Sequence, residues 1–205
     1  MLDVLNIPPA ELFALLVAIG FAAGLNLYAT VAVLGLLSRF AHLPLPPGLH
    51  LLQSWPVIAA STALFAIEFF ADKIPAFDLI WNALHTFIRV PVAGLLAYRA
   101  TTQLSPEHQL LATFVGALVA LVAHGGKTAA RAAVTPSPEP VSNISLSLGE
   151  DILAIGLTWL ATRHPYVAGG LAVIFVAIII ALTRIVIRAV RALFRGAEQE
   201  LLHNR

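Results

Sequence analysis

The sequence predicts an all-α integral membrane protein, a bundle of about six transmembrane helices. Residues of the set AVILMFWYC make up 59% of the 205 residues, and charged residues only 11%. A soluble domain carries about 25% charged residues. A charged fraction this low excludes an ordinary soluble enzyme, a disordered chain and a nucleic-acid binder. The second observation is a series of apolar stretches near the roughly 20 residues that a membrane-spanning helix needs. The chain has no cysteine, which excludes disulfides and thiolate metal sites.

Six apolar stretches are candidate spans. They cover residues 11–38, 56–71, 77–98, 105–123, 150–161 and 167–183. The first is too long for one upright span, and we expect it to be tilted or broken between Gly24 and Asn26. Pro106, after Ser105, is a good start for the fourth. The fifth is short for a full span, and the Pro-rich stretch 135–143 before it reads as a loop.

An internal repeat relates residues 57–76 to residues 147–166. Each segment ends in the order aromatic, apolar, Ala, polar, basic, any residue and Pro, and each is followed by another apolar run. The repeat predicts one membrane domain, 1–205, with three-span halves at 10–100 and 105–196 and a polar tail at 197–205. The halves would have opposite orientations and contain broken helices, as in inverted-repeat transporters and channels. The alternative is that low-complexity apolar sequences align by chance.

The basic residues indicate orientation. With six spans, eight basic residues would lie on the side of both termini: Lys73, Lys127, Arg131, Arg184, Arg188, Arg191, Arg195 and Arg205. Three, Arg39, Arg99 and Arg163, would lie on the other. This asymmetry places both termini in the cytoplasm, and we expect a bacterial inner membrane protein.

Two acidic residues lie at the end of the second stretch. Glu68 and Asp72 are four residues apart and therefore share one face of a helix. Two carboxylates there could bind a cation, carry a proton or pair with basic groups. In the alternative interpretation, Asp72 and Lys73 lie among lipid headgroups at the helix end.

A polar stripe follows on the third stretch. Asn82, His85 and Arg89 recur at helical spacing, so they should face protein or water and not lipid. Arg89 is the expected partner for Glu68 or Asp72 if their helices pack antiparallel. The pair could also serve only to fix helix packing. His85 is expected to be a packing histidine, and we expect no metal site and no cofactor.

The segment Gly125, Gly126, Lys127 suggests a helix break inside the membrane. Paired glycines let the backbone leave helical geometry, and the new helix start would expose N–H groups that bind anions. Lys127 and Arg131 would add positive charge on the same face. The alternative is a cytoplasmic helix end with two snorkelling basic residues.

Further polar residues flank the fifth stretch. Asn143 is a candidate for lining a wetted path, with Asn26 as its counterpart in the other half, and Glu150 and Asp151 are candidates for the same path. Ser147 is expected to cap the fifth helix, with Glu150 completing a capping box. Four arginines step along the last helix at intervals of four, three and four residues, which indicates a lipid headgroup anchor: Arg184, Arg188, Arg191 and Arg195.

Several polar motifs together resemble a known family. These are residues 24–30 (GLNLYAT), 70–75 (FADKIP), 124–127 (HGGK), 137–140 (SPEP) with Ser142 and Asn143, and the pair Glu150 and Asp151. They are similar to a bacterial family of small integral membrane proteins classed only as a domain of unknown function. The resemblance covers about residues 10–190 and implies a multi-span fold without supplying an activity.

Three functions are compatible with these features. The first is a membrane transporter, channel or lipid translocator with a midplane polar site between two halves, acting on a small ion, a zwitterion or a lipid headgroup. The second is a structural or assembly protein without transport. The third is an intramembrane lipid-modifying enzyme, for which no catalytic signature is found. The expected partners are the lipid bilayer and a second copy of the chain, with close helix contacts at Gly94 and residues 168–170.

Overall fold

The computed structural model describes residues 8–134 and 140–203, and these residues fold into helices without a strand. The α-helices are α1 (Pro9–Leu25), α2 (Leu27–Phe40), α3 (Trp55–Ala71), α4 (Pro75–Ala100), α5 (Pro106–Val134), α6 (Pro140–Arg163) and α7 (Pro165–His203). A short 3-10 helix, Pro47–Gln53, precedes α3. The prediction of an all-α fold is confirmed.

Proline determines where most of these helices begin. Five of the seven α-helices start with proline, whose fixed φ suits the first helical position and whose missing N–H has no intrahelical acceptor there. Two predictions fail for this reason. The predicted loop 135–143 is helical from Pro140 onward (residues 135–139 lie outside the described part), so α6 is long enough to span. Ser147 is therefore inside α6 and does not cap it.

The first apolar stretch is broken at Asn26, as predicted, and it folds back on itself. Near the break, Asn26 contacts Asp151 of α6. Farther along α2, Thr30 lies beside Thr158, so α2 runs parallel to α6. A cavity lined by Glu11 of α1 and by Leu43, just after α2, shows that the other ends of α1 and α2 lie together. The two helices form a re-entrant hairpin with its tip at Asn26.

The remaining helices cross the bundle in alternating directions. Gly20 and Gly24 lie against Gly116 and Ala120, so α5 runs parallel to α1. Gly169 lies against Ala14 and Phe175 against Phe21, so α7 also runs parallel to α1. Gly94 lies against Ala117 and Arg89 against His124, so α4 is antiparallel to α5. We call the end where α1 begins end A and the end where α7 finishes end B. Since Asp72 contacts Arg131 and Asn143, the turn after α3 lies toward end B.

This path differs from six spans with both termini on one side. Four helices, α4 to α7, are long and apolar enough to cross a membrane, or five if α3 is joined to the 3-10 helix, from which it is bent by 67°. Because α1 and α2 form a hairpin, α1 begins at end A while α7 finishes at end B. The helix of α7 extends to His203, into the predicted polar tail.

The outer surface of the bundle is apolar. Phe87 and Phe114 are 82% and 72% exposed, and the side chains packed inside include many alanines. Such a surface is favourable in lipid and unfavourable in water, since no polar group covers it. Together with the apolar spans, it identifies an integral membrane protein.

Glycines on α1 and α5 allow these two helices to cross closely. A Cβ on Gly24 would lie 2.5 Å from the carbonyl oxygen of Ala120, and one on Gly20 would lie 3.0 Å from that of Gly116. Small residues at such a crossing let helix backbones approach in membranes. The crossing holds the hairpin against the centre of the bundle.

Other glycines correct two predictions. The helix α5 is continuous through Gly125 and Gly126. Gly126 makes room for a side chain of α7, since an added Cβ there would lie 2.8 Å from Ile179 Cδ1. Gly94 and Gly169, which we expected at an interface between copies, pack against Ala117 and Ala14 of the same chain, whereas an added Cβ on Gly170 would meet nothing within 4 Å. The contact with a second copy stays a prediction.

The α1–α5 crossing can be tested with matched substitutions. We expect Gly24→Ala to destabilise the protein by about 1–3 kcal/mol, as overpacking does, because the new methyl overlaps the backbone of α5. Gly156→Ala, where an added Cβ meets nothing within 4 Å, should leave stability unchanged or raise it slightly. Thermal unfolding in detergent measures both, and equal midpoints would contradict the close crossing.

Candidate functional site

Six charged side chains form one buried cluster at the tip of the hairpin. We call it the ion network: Glu68 of α3, Asp72 just after it, Arg89 of α4, Lys127 and Arg131 of α5, and Glu150 of α6. Five of these side chains have no exposed surface, and that of Glu150 is 8% exposed. Ion pairs connect all six.

Lys127 joins the ion network to the hairpin. Its Nζ lies 2.9 Å from Asp72 Oδ2, 3.3 Å from Glu68 Oε1 and 3.5 Å from Glu150 Oε2. It also donates a hydrogen bond of 3.3 Å to the carbonyl oxygen of Leu25, the last residue of α1. The last carbonyls of a helix lack intrahelical partners and carry partial negative charge, so the ammonium stabilises the end of α1 as well as three carboxylates.

Arg131 fastens the turn after α3 to α6. Its Nη2 lies 2.6 Å from Glu150 Oε2 and 3.1 Å from Asp72 Oδ2. Its Nη1 donates to the Asp72 carbonyl oxygen at 2.8 Å. Asn143, in the first turns of α6, donates to the same carbonyl at 3.3 Å. The planar guanidinium thus binds two carboxylates and a backbone carbonyl. Its N–H donors are fixed in one plane, which suits it to binding several acceptors at once.

Arg89 closes the network on the side of α4. It pairs with Glu68, and its Nη1 donates to Asn82 Oδ1 at 3.2 Å and to His124 Nδ1 at 3.0 Å. Because a guanidinium has no acceptor, His124 must accept at Nδ1, which assigns the neutral imidazole with its proton on Nε2. That nitrogen lies 2.7 Å from Thr86 Oγ1 and 3.1 Å from the Asn82 carbonyl oxygen.

Asn26 links the helix break to a seventh charged residue, Asp151. Its Oδ1 accepts from the backbone N–H of Ala29 at 2.9 Å and so caps α2. Its Nδ2 donates to Asp151 Oδ1, also at 2.9 Å. Since the cap fixes the amide's orientation, the amide nitrogen is left to point at the carboxyl group of α6.

Three buried carboxyl oxygens have no hydrogen-bond partner among the described residues: Glu68 Oε2, Asp72 Oδ1 and Asp151 Oδ2. Buried polar atoms are nearly always paired, so such atoms mark places where water, an ion or a proton binds. No group of three His, Asp or Glu side chains within residues 8–134 and 140–203 is arranged to hold a metal ion. The site is therefore rich in charge, closed in this conformation and incompletely paired.

The structure brings most of the predicted site residues together. Asn82 and Asn143 contact the ion network, and Asn26 lies beside it in contact with Asp151. His85 is elsewhere: its ring stacks on Trp81 and contacts the Tyr28 hydroxyl at 2.9 Å, as expected for a packing histidine. Gly125 and Gly126 do not contribute polar contacts, because α5 is not broken there.

Two interpretations from the sequence are corrected by burial. Lys127 and Arg131 are not snorkelling residues at a helix end, since both lie inside the network. Asp72 is buried and does not lie at the surface, whereas Lys73 is half-buried and stacks on the Phe69 ring. His124 was identified in the sequence only as part of the motif at residues 124–127, and not as a member of the polar cluster. It shares a helix face with Lys127 and Arg131, at spacings of three and four, and that pattern could have identified it.

The four arginines of α7 lie far from this site. Arg184, Arg188, Arg191 and Arg195 are exposed on the last part of α7, beyond the packed bundle. Their spacing and exposure fit the predicted contact with lipid phosphates, which stays a prediction.

The family described as a domain of unknown function, DUF4126, matches residues 13–185. The chain belongs to the DUF4126 family. No curated protein and no solved structure matches it. The ion network and the hairpin tip of this DUF4126 protein lie inside the matched region, so the family assignment covers the whole candidate site.

The role of Lys127 can be tested with a matched lysine. We expect Lys127→Met to destabilise this DUF4126 protein by about 3–5 kcal/mol, because removing one partner leaves buried carboxylates uncompensated. Lys73→Met removes the same group at a half-buried position and should have a much smaller effect. Thermal unfolding of both variants in detergent measures the difference. Equal unfolding midpoints would mean that the ion network does not depend on Lys127.

Proposed function

We propose that this protein is a membrane transporter for a small ion or zwitterion, with a path along the re-entrant hairpin that the ion network closes at end B. The observation that carries the proposal is the helix break at Asn26, which presents the end of α1 and the start of α2 to a buried cluster of charges. Transporters use such broken helices to place helix ends at a substrate site. Ionisable residues inside a membrane mark ion and substrate paths.

The direction of the helices supports an inverted repeat. The repeated segments end at Pro75 and Pro165, which open α4 and α7. In the bundle α3 runs from end A to end B and α6 runs back, while α4 and α7 also run in opposite directions. We propose that α2, α3 and α4 form one half and α5, α6 and α7 the other, with α1 as an added helix. These boundaries revise the halves expected from the sequence.

A cavity at end A supports an access route. It has a volume of about 260 Å³ and lies between the two arms of the hairpin and the ends of α4 and α6. Ile19 and Leu34 line it from opposite arms. From Ile19 to Asn26 is roughly 10 Å along the helix, so the cavity and the ion network are separated by about two helical turns. We propose that the cavity is the open vestibule and the network the closed gate.

The basic residues support an orientation. Lys73 and the arginines of α7 lie toward end B, whereas Arg39, Arg99 and Arg163 lie toward end A. By the positive-inside rule, end B faces the cytoplasm. The C-terminus is then cytoplasmic and α1 begins on the opposite side, in what we propose is a bacterial inner membrane.

A structural or assembly role is the alternative function, and one observation favours it. Arg89, Lys127 and Arg131 each pair with at least one carboxylate, and the network is almost completely buried. A network that only fixes helix packing would stay dry throughout. The two functions therefore differ in whether water reaches the hairpin tip.

Water access can be measured by cysteine labelling, because the natural chain has no cysteine. We expect a membrane-impermeant thiol reagent applied at end A to label Leu34→Cys in the cavity and, more slowly, Asn26→Cys at the tip. Glu107→Cys, exposed where α5 begins at end A, is the positive control. Phe87→Cys, on the lipid-facing surface, is the negative control. Labelling of Glu107→Cys alone would favour the structural role.

Transport itself can be measured with protein reconstituted on a solid-supported membrane. We expect concentration jumps of one member of a panel of small ions and zwitterions to produce transient currents. Glu68→Gln should reduce these currents at least tenfold by removing a buried charge from the gate. Arg188→Gln, on the exposed part of α7, should leave them unchanged. Currents that survive in Glu68→Gln would contradict the role of the network.

A further inference from the structure

We infer that Asp151 is a proton-binding site, and that its proton controls docking of the hairpin tip through Lys127. The inference deepens the proposed function, since it would make the proton the coupling ion of the same site. The carboxyl groups of the site outnumber its buried cations. Four carboxyl groups (Glu68, Asp72, Glu150 and Asp151) face three permanent cations (Arg89, Lys127 and Arg131), and the hydrogen bonds of His124 assign it as neutral.

Asp151 is the carboxyl group of the four that has no cation of its own. Glu68, Asp72 and Glu150 each make at least one ion pair. Asp151 makes none with the side chains that the structure describes, although it is only 3% exposed. Burying an ionised carboxylate without a paired cation costs several kcal/mol, and such a group takes up a proton instead.

The hydrogen bonds of Asp151 fit the protonated form. Its Oδ1 accepts from Asn26 Nδ2 at 2.9 Å, as a carbonyl oxygen would, while Oδ2 has no partner. In a protonated carboxyl group Oδ2 carries the hydrogen, and the neighbouring space is where the proton arrives and leaves. The proton binds to Oδ2, and its loss leaves one negative charge shared by both oxygens.

Charged groups around Asp151 oppose one another. Lys127 of α5 favours its ionised form, whereas Asp72 and Glu68 disfavour it. Lys73, after α3, attracts Asp151 without forming an ion pair with it. Glu150 precedes Asp151 on α6 and pairs with Arg131. The hairpin contributes uncharged Asn26, and α7 has no charged residue before Arg184. Lys127 is therefore the cation that a deprotonated Asp151 would attract.

Two hydrogen bonds hold the hairpin tip. Lys127 donates to the carbonyl oxygen of Leu25, and the next residue, Asn26, donates to Asp151. When Asp151 loses its proton, it still accepts from Asn26, but Lys127 is drawn toward the new charge and away from Leu25. The end of α1 is then released from the network, and water can enter at the tip. Protonation restores the docked tip.

The test uses Leu27→Cys as a reporter on the tip and Arg195→Cys as an exposed reference. Dividing the two labelling rates corrects for the ordinary titration of an exposed thiol, and Leu27→Cys in the Asp151→Asn background corrects for the titration of the tip thiol itself. We expect the ratio to rise about tenfold, equivalent to about 1.4 kcal/mol, as pH increases from about 4 to about 9, a range that begins near the ordinary carboxyl value. In Asp151→Asn, which imitates the protonated form, the ratio should stay low throughout.

The control variant is Glu107→Gln, an exposed acid in the first turn of α5 and outside the ion network, which should keep the pH dependence. Replacing Na⁺ by K⁺ at constant pH tests a metal cation in place of the proton. A ratio that is independent of pH in the natural background overturns the inference, as does one that follows Na⁺ or that titrates unchanged in Asp151→Asn. The first of these needs no variant of the site to fold.

A second measurement detects the proton directly. Infrared difference spectra between low and high pH should contain a carboxylic acid C=O component that is lost in Asp151→Asn and kept in Glu107→Gln. Exposed acids contribute to both spectra, so a difference spectrum of Asp151→Asn identical to that of the natural background would overturn the assignment. Neither measurement depends on solute flux. Solute currents without this titration would leave the transporter intact and refute the proton site, whereas titration without currents would do the reverse.

Discussion

The docking of a helix break onto buried charge is the constraint on which the rest of the structure depends. The break leaves the end of α1 and the start of α2 with unsatisfied backbone groups deep in an apolar bundle, where they would be costly. Lys127 satisfies a carbonyl of the first and Asn26 caps the second. Lys127 can be buried there only because carboxylates surround it, and those carboxylates in turn require Arg89 and Arg131.

The close crossing of α1 and α5 makes this docking possible. Glycines bring the two helices together, so Lys127 can reach the backbone of Leu25. A larger residue at Gly24 would separate α5 from the tip and lengthen that contact. Packing and electrostatics are coupled here, since small residues set the distance and charge supplies the attraction across it.

Part of this arrangement could be predicted from the sequence. Helical spacing grouped Glu68 with Asp72 and Asn82 with Arg89, and the polar Asn26 in an overlong apolar stretch indicated the break. The direction of the chain after the break could not be predicted, because hydropathy does not show to which end α2 returns. The paired glycines of α5 were misread because glycine permits either a break or a close contact. Only the position of Ile179 decides between them.

The hairpin itself is best tested by the distance between its two outer ends. Spin labels at Phe13 and Phe40, both exposed, would be roughly 40 Å apart along an unbroken helix. The re-entrant hairpin predicts a distance distribution centred well below that value, since both ends lie at end A. Double electron–electron resonance in lipid measures it. A distribution centred near 40 Å would show that α1 and α2 form one span, and the tip would no longer face the ion network.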